Sequence, residues 1–152
     1  MNRNIKYIVL HCTATTQETS IRSFKGEGNE QPPYHYVIKA DGDTVRTLPE
    51  CCISGVECPD SSESVHIAYI GGVDKKGKPI DNRTQRQKDA LFCKMVQLWE
   101  KYPGAEIKGK CDFPDATGAS PCFDVKAWLG DYIPDLSAQH YFEDEELLEL
   151  AA

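Results

Sequence analysis

The side chains most able to do chemistry in this sequence are four histidines and seven cysteines. Imidazole and thiolate are common zinc ligands, and a thiol beside a histidine can act as a nucleophile in acyl transfer. The cysteines show no Cys-x-x-Cys spacing, which argues against a zinc knuckle or a redox dithiol. Their odd number argues against a closed disulfide framework, so we expect mostly reduced, structural thiols.

A thiol nucleophile needs a histidine beside it in space, and Cys12 adjoins His11 in the sequence. The segment 6–13 is rich in Ile, Val and Leu and is predicted to be a buried strand. Neighbouring side chains of a strand point to opposite faces, which argues against a dyad of these two residues. The alternative is Cys12 or Cys111 near His35, although His35 is expected to be a hydrogen-bonded core residue.

The elements that must position these side chains include five strands, which are predicted from apolar runs. They cover residues 6–13, 34–40, 44–48, 64–70 and 105–113. The turn Asp41-Gly42 should join the second and third strands as a hairpin. The stretches 15–33 and 49–63 are predicted to be loops, with one short helical turn near Ile21.

Two helices complete the predicted pattern. The clearer one covers 84–102, where Thr84 and Gln87 form a capping-box pair and Pro103 stops the helix. Apolar residues recur at helical spacing within it: Leu91, Met95, Leu98 and Tyr102. A shorter helix is predicted over 123–129. This order of elements predicts a single-domain α/β fold, a mixed β-sheet with helices packed on it.

The charge distribution separates the body of the chain from its end. The 152 residues fit one domain with a net charge of −7. Seven of the 24 acidic residues lie in an acidic C-terminal tail over 131–152 that has no Lys or Arg, so residues 1–130 carry 17 charges of each sign. A neutral body argues against nucleic acid as a partner. No apolar run reaches 18 residues, so we expect no membrane partner.

The start of the chain does not match a signal peptide. The apolar run from Ile5 to Leu10 is too short for the hydrophobic region, and no small-residue cleavage site follows it. We therefore expect a protein that is cytoplasmic as synthesised and reaches the cell exterior only through assisted release.

Four segments in order carry a resemblance to one family. The first, Ile8 to Thr15, is similar to a family strand that ends in His-x-Ser/Thr-Ala-Thr, and the second, Tyr34 to Ile38 with the following Asp-Gly turn, is similar to Tyr-His-Phe/Tyr-x-Ile. The third, Ser64 to Gly72, is similar to Ser-Ile-Gly-Val-x-x-x-Gly. The fourth consists of Ile107 to Phe113, similar to Gly-His-Arg-Asp, and Ser120 to Asp124, similar to Lys-x-Cys-Pro-x-Phe-Asp. Together they resemble the zinc N-acetylmuramoyl-L-alanine amidases, which include phage lysozyme-type amidases and peptidoglycan recognition proteins. The resemblance implies an amidase-like domain over 1–130.

The resemblance also implies a chemistry. Family members hold zinc with two histidines and a cysteine or carboxylate, and the metal activates a water that cleaves the lactyl–L-alanine bond of peptidoglycan. His11 matches the first ligand, whereas Lys110 and Ser120 stand at the second and third. Gly118 stands where the phage type has an oxyanion-supporting Lys, and Tyr34 matches the family's other oxyanion donor.

These substitutions predict a degenerate zinc site. An ammonium has no free lone pair at neutral pH and repels a dication, and a neutral hydroxyl is a poor substitute for thiolate. We expect no zinc cofactor and impaired hydrolysis. We expect the groove that binds substrate in the family to bind peptidoglycan fragments or a protein partner. The predicted groove residues are His11, Tyr34, His66, Lys110 and Ser120, with Tyr34 as the retained catalytic position and His11 as the one retained metal ligand.

Two alternatives stay open on the sequence. An active amidase could use a remodelled zinc site in which Cys111 and Cys122 join His11. An interaction or regulatory module could instead act through the acidic tail 131–152.

Overall fold

The computed structural model describes residues 3–114 and 116–132. It contains five strands: β1 (Tyr7–Cys12), β2 (Tyr36–Ile38), β3 (Thr44–Arg46), β4 (Ser64–Tyr69) and β5 (Glu106–Gly109). They form one sheet in the order β3-β2-β4-β1-β5, in which only β3 runs antiparallel. The helices are α1 (Gln85–Lys101) and α2 (Val125–Tyr132), with 3-10 turns at Ile21–Phe24, Ser61–Glu63 and Lys110–Asp112.

The two central strands account for the continuous apolar runs in the sequence. All of β4 and all of β1 after Tyr7 are buried, as expected for parallel strands covered on both faces. The β1–β4 register pairs Val9 with His66, and the β1–β5 register pairs Leu10 with Gly109. Because these strands are parallel, their carboxyl ends meet at one edge of the sheet, where ligand sites of such sheets usually lie.

Helix α1 begins where the capping-box pattern predicted. The Thr84 hydroxyl accepts from the Gln87 N–H, and the Gln87 side chain accepts from the Thr84 N–H. The fully buried Gln87 amide also donates to the carbonyl of Ile70 at 2.9 Å, which ties the helix to the end of β4. Leu91, Met95 and Leu98 are buried on the same helix and pack against the sheet.

The last strand and the last helix differ from the prediction. Strand β5 ends at Gly109 rather than Phe113, because the chain turns into Lys110–Asp112 and the Asp112 carboxylate accepts from the Gly109 N–H at 2.9 Å. Helix α2 begins at Val125, two residues later than predicted, and continues to Tyr132. The acidic tail lies outside the described residues beyond Tyr132. No helix in the described part of the chain is long and apolar enough to cross a membrane.

Candidate functional site

Three sequence-predicted positions meet at the carboxyl ends of β1 and β5. Since Leu10 pairs with Gly109, the residues that follow them lie side by side: His11, still in β1, and Lys110, just past the end of β5. Ser120 is held there because its hydroxyl accepts from the Cys12 N–H at 3.0 Å and its carbonyl accepts from the Cys111 N–H at 2.9 Å. The fold therefore brings together the three residues that the sequence aligned with the family's metal ligands.

His11 is buried against a second histidine. Its Nε2 lies 2.8 Å from Nδ1 of His66, and the two residues are 1% and 0% exposed. The other ring nitrogen of His66 lies 3.1 Å from the Ser61 hydroxyl. His66, predicted to line the groove, thus lies behind His11 and supports it instead of facing solvent.

His35 extends this buried group, as predicted for a hydrogen-bonded core residue. Its Nδ1 accepts from the His66 N–H at 3.0 Å, and its Nε2–H donates to the Cys52 carbonyl at 2.8 Å. Its ring stacks on that of His66 with a centroid distance of 5.8 Å. No cysteine side chain is among its described hydrogen-bond partners, which leaves the predicted thiol pairing with Cys12 or Cys111 without support.

The environment keeps both site imidazoles neutral. Burial lowers the pKa of His11 well below its ordinary value of 6.5, and the nearby His66 and Lys110 lower it further. Burial, with His35, Arg3 and Lys110 as further causes, lowers the pKa of His66 to about 3. The positive charge of Lys110 acts on both imidazoles and disfavours their protonation.

Tyr34 lies next to His11. The centroids of the two rings are 5.2 Å apart. Burial raises the pKa of the Tyr34 phenol to about 12, so the hydroxyl keeps its proton at neutral pH. Tyr34 can therefore donate a hydrogen bond toward a ligand that rests against His11.

The cysteines do not form the remodelled metal site that the sequence left open. The Cys122 thiol lies 3.9 Å from the Cys12 thiol and 3.4 Å from the Gly72 carbonyl, so it packs against the core beside Cys12, whose side chain alternates with that of His11 along β1. Cys111 is exposed and contacts the neighbouring Asp112. Within 3–114 and 116–132, no three His, Cys, Asp or Glu side chains are grouped so that they could hold a metal ion. The described residues therefore give no support to a metal site of His11, Cys111 and Cys122.

The residues that are present do not fit a catalytic zinc ion. Such a site needs three lone-pair donors at about 2.0–2.3 Å from the metal. Here His11 offers one nitrogen, the Lys110 ammonium offers none, and the Ser120 oxygen already accepts from a backbone N–H. We derive no step through a metal at this site.

Sequence reasoning missed the contact between His11 and His66. Strand alternation places His11 on the same face as Val9, and Val9 pairs with His66. His35 precedes Tyr36, which pairs with Ile67, so it falls beside His66. Three histidines on one face of three adjacent strands would have been a usable signal, but it depends on a register that the sequence alone does not give.

Comparisons with known proteins relate the chain to one family. A family model described as N-acetylmuramoyl-L-alanine amidase matches residues 1–122. The chain is similar to the endolysins of Klebsiella phage KP32 and Escherichia phage T7, each 32% identical over 127 residues, which is 80% of this chain and 83% of theirs.

Two solved structures show the same fold. One is the Ph2119 endolysin from the Thermus scotoductus bacteriophage Ph2119, with a TM-score of 0.68, 23% identity, and coverage of 86% of each chain. The other is a complex of the peptidoglycan recognition proteins LCa and LCx with bound tracheal cytotoxin, with a TM-score of 0.66, 14% identity, and coverage of 88% of this chain and 85% of that one. These likenesses confirm the predicted α/β fold.

Proposed function

Because the chain belongs to the N-acetylmuramoyl-L-alanine amidase family, we propose that it binds peptidoglycan fragments beside His11 without the family's zinc-dependent hydrolysis. The observation that carries this proposal is the pair Lys110 and Ser120 at the carboxyl ends of the strands. An ammonium beside His11 repels a dication, and a hydroxyl that accepts from the Cys12 N–H is a weak donor to a metal.

Binding of peptidoglycan fragments is supported by Tyr34 and by the histidines that pack against His11. Tyr34 lies next to His11 with its phenol protonated, so it can offer one hydrogen-bond donor to a carbonyl of a ligand bound beside His11. The buried histidines behind His11 hold that wall of the site in place. A neighbour in fold, the recognition-protein complex, holds bound tracheal cytotoxin, which supports a ligand-binding role for a chain of this fold.

The test is calorimetric titration of the full chain with a muropeptide, beside an assay for stem peptide released from cell wall. We expect saturable binding and no release above background, with or without added zinc. Tyr34→Ala should weaken binding, whereas Tyr132→Ala, an exposed tyrosine on α2, should not. Absence of binding would refute the proposal, as would zinc-dependent release of stem peptide.

A second candidate is an active amidase, which the identity with the phage endolysins favours. It would need donors other than Cys111 and Cys122, since the described residues give no support to a metal site that includes those thiols. The release assay decides between the two candidates. A protein partner that uses the predicted tail is a separate proposal, and a pull-down with the full chain and with a chain ending at Tyr132 would test it.

A further inference from the structure

Two positions that the resemblance aligns with zinc ligands, Lys110 and Ser120, carry groups that can donate hydrogen bonds to an anion. Lys110 carries three N–H donors and no acceptor. The Ser120 oxygen accepts from the Cys12 N–H, and its own hydrogen has no acceptor among the described contacts. The Tyr34 hydroxyl likewise has no acceptor among them. Three proton donors therefore lie near His11: Lys110 follows the residue that pairs with Leu10, Ser120 is bound to the Cys12 N–H, and the Tyr34 ring centroid is 5.2 Å from that of His11.

Lys110 has no acidic partner within residues 3–114 and 116–132. None of the ion pairs in the described part of the chain includes Lys110. The nearby imidazoles are buried and engaged with one another, since Nε2 of His11 and Nδ1 of His66 are 2.8 Å apart. Lys110 is half-buried, so its charge is partly shielded from water and is available to a ligand in the groove.

From this arrangement we infer that the groove selects ligands with a free carboxylate, bound by Lys110 with the hydroxyls of Ser120 and Tyr34. The inference rests on the proposed function and names its ligand class. Hydrogen bonds to an ionised group are roughly twice as strong as neutral ones, so a carboxylate should bind better than the corresponding amide. Such a ligand resembles the acid product of amide hydrolysis more than the uncleaved amide.

Peptidoglycan fragments offer two sources of a carboxylate, and four ligands separate them. N-acetylmuramic acid has a free lactyl carboxylate, and its lactyl amide does not. Muramoyl dipeptide has an amide-linked lactyl group and a free carboxylate on its peptide. In the fourth ligand, that peptide carboxylate is converted to an amide. We expect each acid that uses the site to bind the unmodified full chain about 10- to 100-fold more tightly than its amide, the range for loss of a hydrogen bond to a charged group.

Variants link the preference to Lys110. Lys110→Met should remove most of the difference between acid and amide, and Lys110→Arg should keep it. Lys126→Met, on an exposed position of α2, is the matched control and should bind like the unmodified protein. The comparison of acid with amide on the unmodified chain needs no variant to fold.

The outcomes distinguish this inference from the function on which it rests. If N-acetylmuramic acid binds more tightly than its amide, the inference is supported and the lactyl group supplies the bound carboxylate. If muramoyl dipeptide binds more tightly than its amide, the inference is supported and the peptide supplies the bound carboxylate. Equal binding of acids and amides overturns the inference and leaves fragment binding intact. Failure of all four ligands to bind overturns the proposed function itself.

Discussion

The two sides of the site differ in how the fold holds them. The histidine side (His11, His35 and His66) is at most 1% exposed, and its imidazoles lie within hydrogen-bond distance of one another, of a hydroxyl or of the backbone. The loop side (Lys110 and Ser120) follows the end of β5, is half-buried, and is held by hydrogen bonds between Ser120 and the backbone. The contrast teaches that packing maintains the histidine side, whereas the loop side can change its chemistry without disturbing the core.

The largest expected effect comes from restoring the family's donors on the loop side. Lys110→His with Ser120→Cys would place an imidazole and a thiolate beside His11, which completes a three-ligand zinc set. Loss of a hydrogen-bond partner of a metal ligand alone changes metal affinity by about 10–100-fold. Since the double variant gains two ligands, we expect its zinc affinity to exceed that of the unmodified chain by at least about 100-fold. Elemental analysis should find about one zinc per chain.

The matched control is Lys110→Gln with Ser120→Ala, which removes the same charge and hydroxyl but adds no zinc ligand. Zinc uptake by both double variants would show that the metal binds elsewhere. A folded Lys110→His, Ser120→Cys variant without zinc would show that the two positions do not correspond to the family's ligands.

The next effect concerns the stability of the histidine side in acid. The folded-state pKa of His66, about 3, lies below its ordinary value of 6.5, so between these values the unfolded chain binds a proton that the folded chain refuses. The contribution to the free energy of unfolding is therefore full above pH 6.5 and is lost as the pH falls toward 3. The loss is on the order of 5 kcal/mol at 1.36 kcal/mol per pKa unit.

Urea unfolding of the unmodified chain and of His66→Gln at a series of pH values measures this effect. Carboxylates titrate in both proteins, so the difference between the two curves reports the histidine. We expect a shallower fall in stability for His66→Gln below pH 6.5. Parallel curves would contradict the buried neutral state of His66.

A smaller effect is expected for one hydrogen bond of the loop side. Ser120→Ala removes the acceptor of the Cys12 N–H, and a hydrogen bond of this kind contributes about 1 kcal/mol. Chemical denaturation should show a loss of that size. A loss above about 3 kcal/mol would mean that the loop side is as integral to the core as the histidine side.

The smallest effect on stability is expected for Lys110→Met. Lys110 is half-buried and makes no ion pair within the described residues, so the free energy of unfolding should change by less than about 0.5 kcal/mol. Thermal unfolding checks this value. Marked destabilisation would indicate a structural role for the lysine. Both sides of the site would then contribute to the stability of the fold, contrary to the comparison above.

Local patterns in the sequence predicted most of the fold. The capping box at Thr84 and Gln87 is local chemistry, so the start of α1 is confirmed. Strand β5 was predicted too long because apolar residues continue to Phe113, whereas the Asp112 carboxylate turns the chain after Gly109. Local pattern could not show that competition between an apolar run and a side-chain hydrogen bond.

The candidate site was predictable only in part. The resemblance selected His11, Lys110 and Ser120, and the parallel register brings them together. The thiol contact of Cys122 with Cys12 was not predicted, because it depends on the path of a loop between β5 and α2. Contacts across loops arise from tertiary packing, which sequence spacing does not encode.

The most direct test of the central claim is the zinc content of the full chain after incubation with zinc and dialysis into metal-free buffer, compared with His11→Ala treated in the same way. Because Lys110 and Ser120 cannot take the place of imidazole and thiolate, we predict well under one zinc per chain and no difference between the two proteins. About one zinc per chain, lost in His11→Ala, would contradict the claim and identify the site as a metal centre.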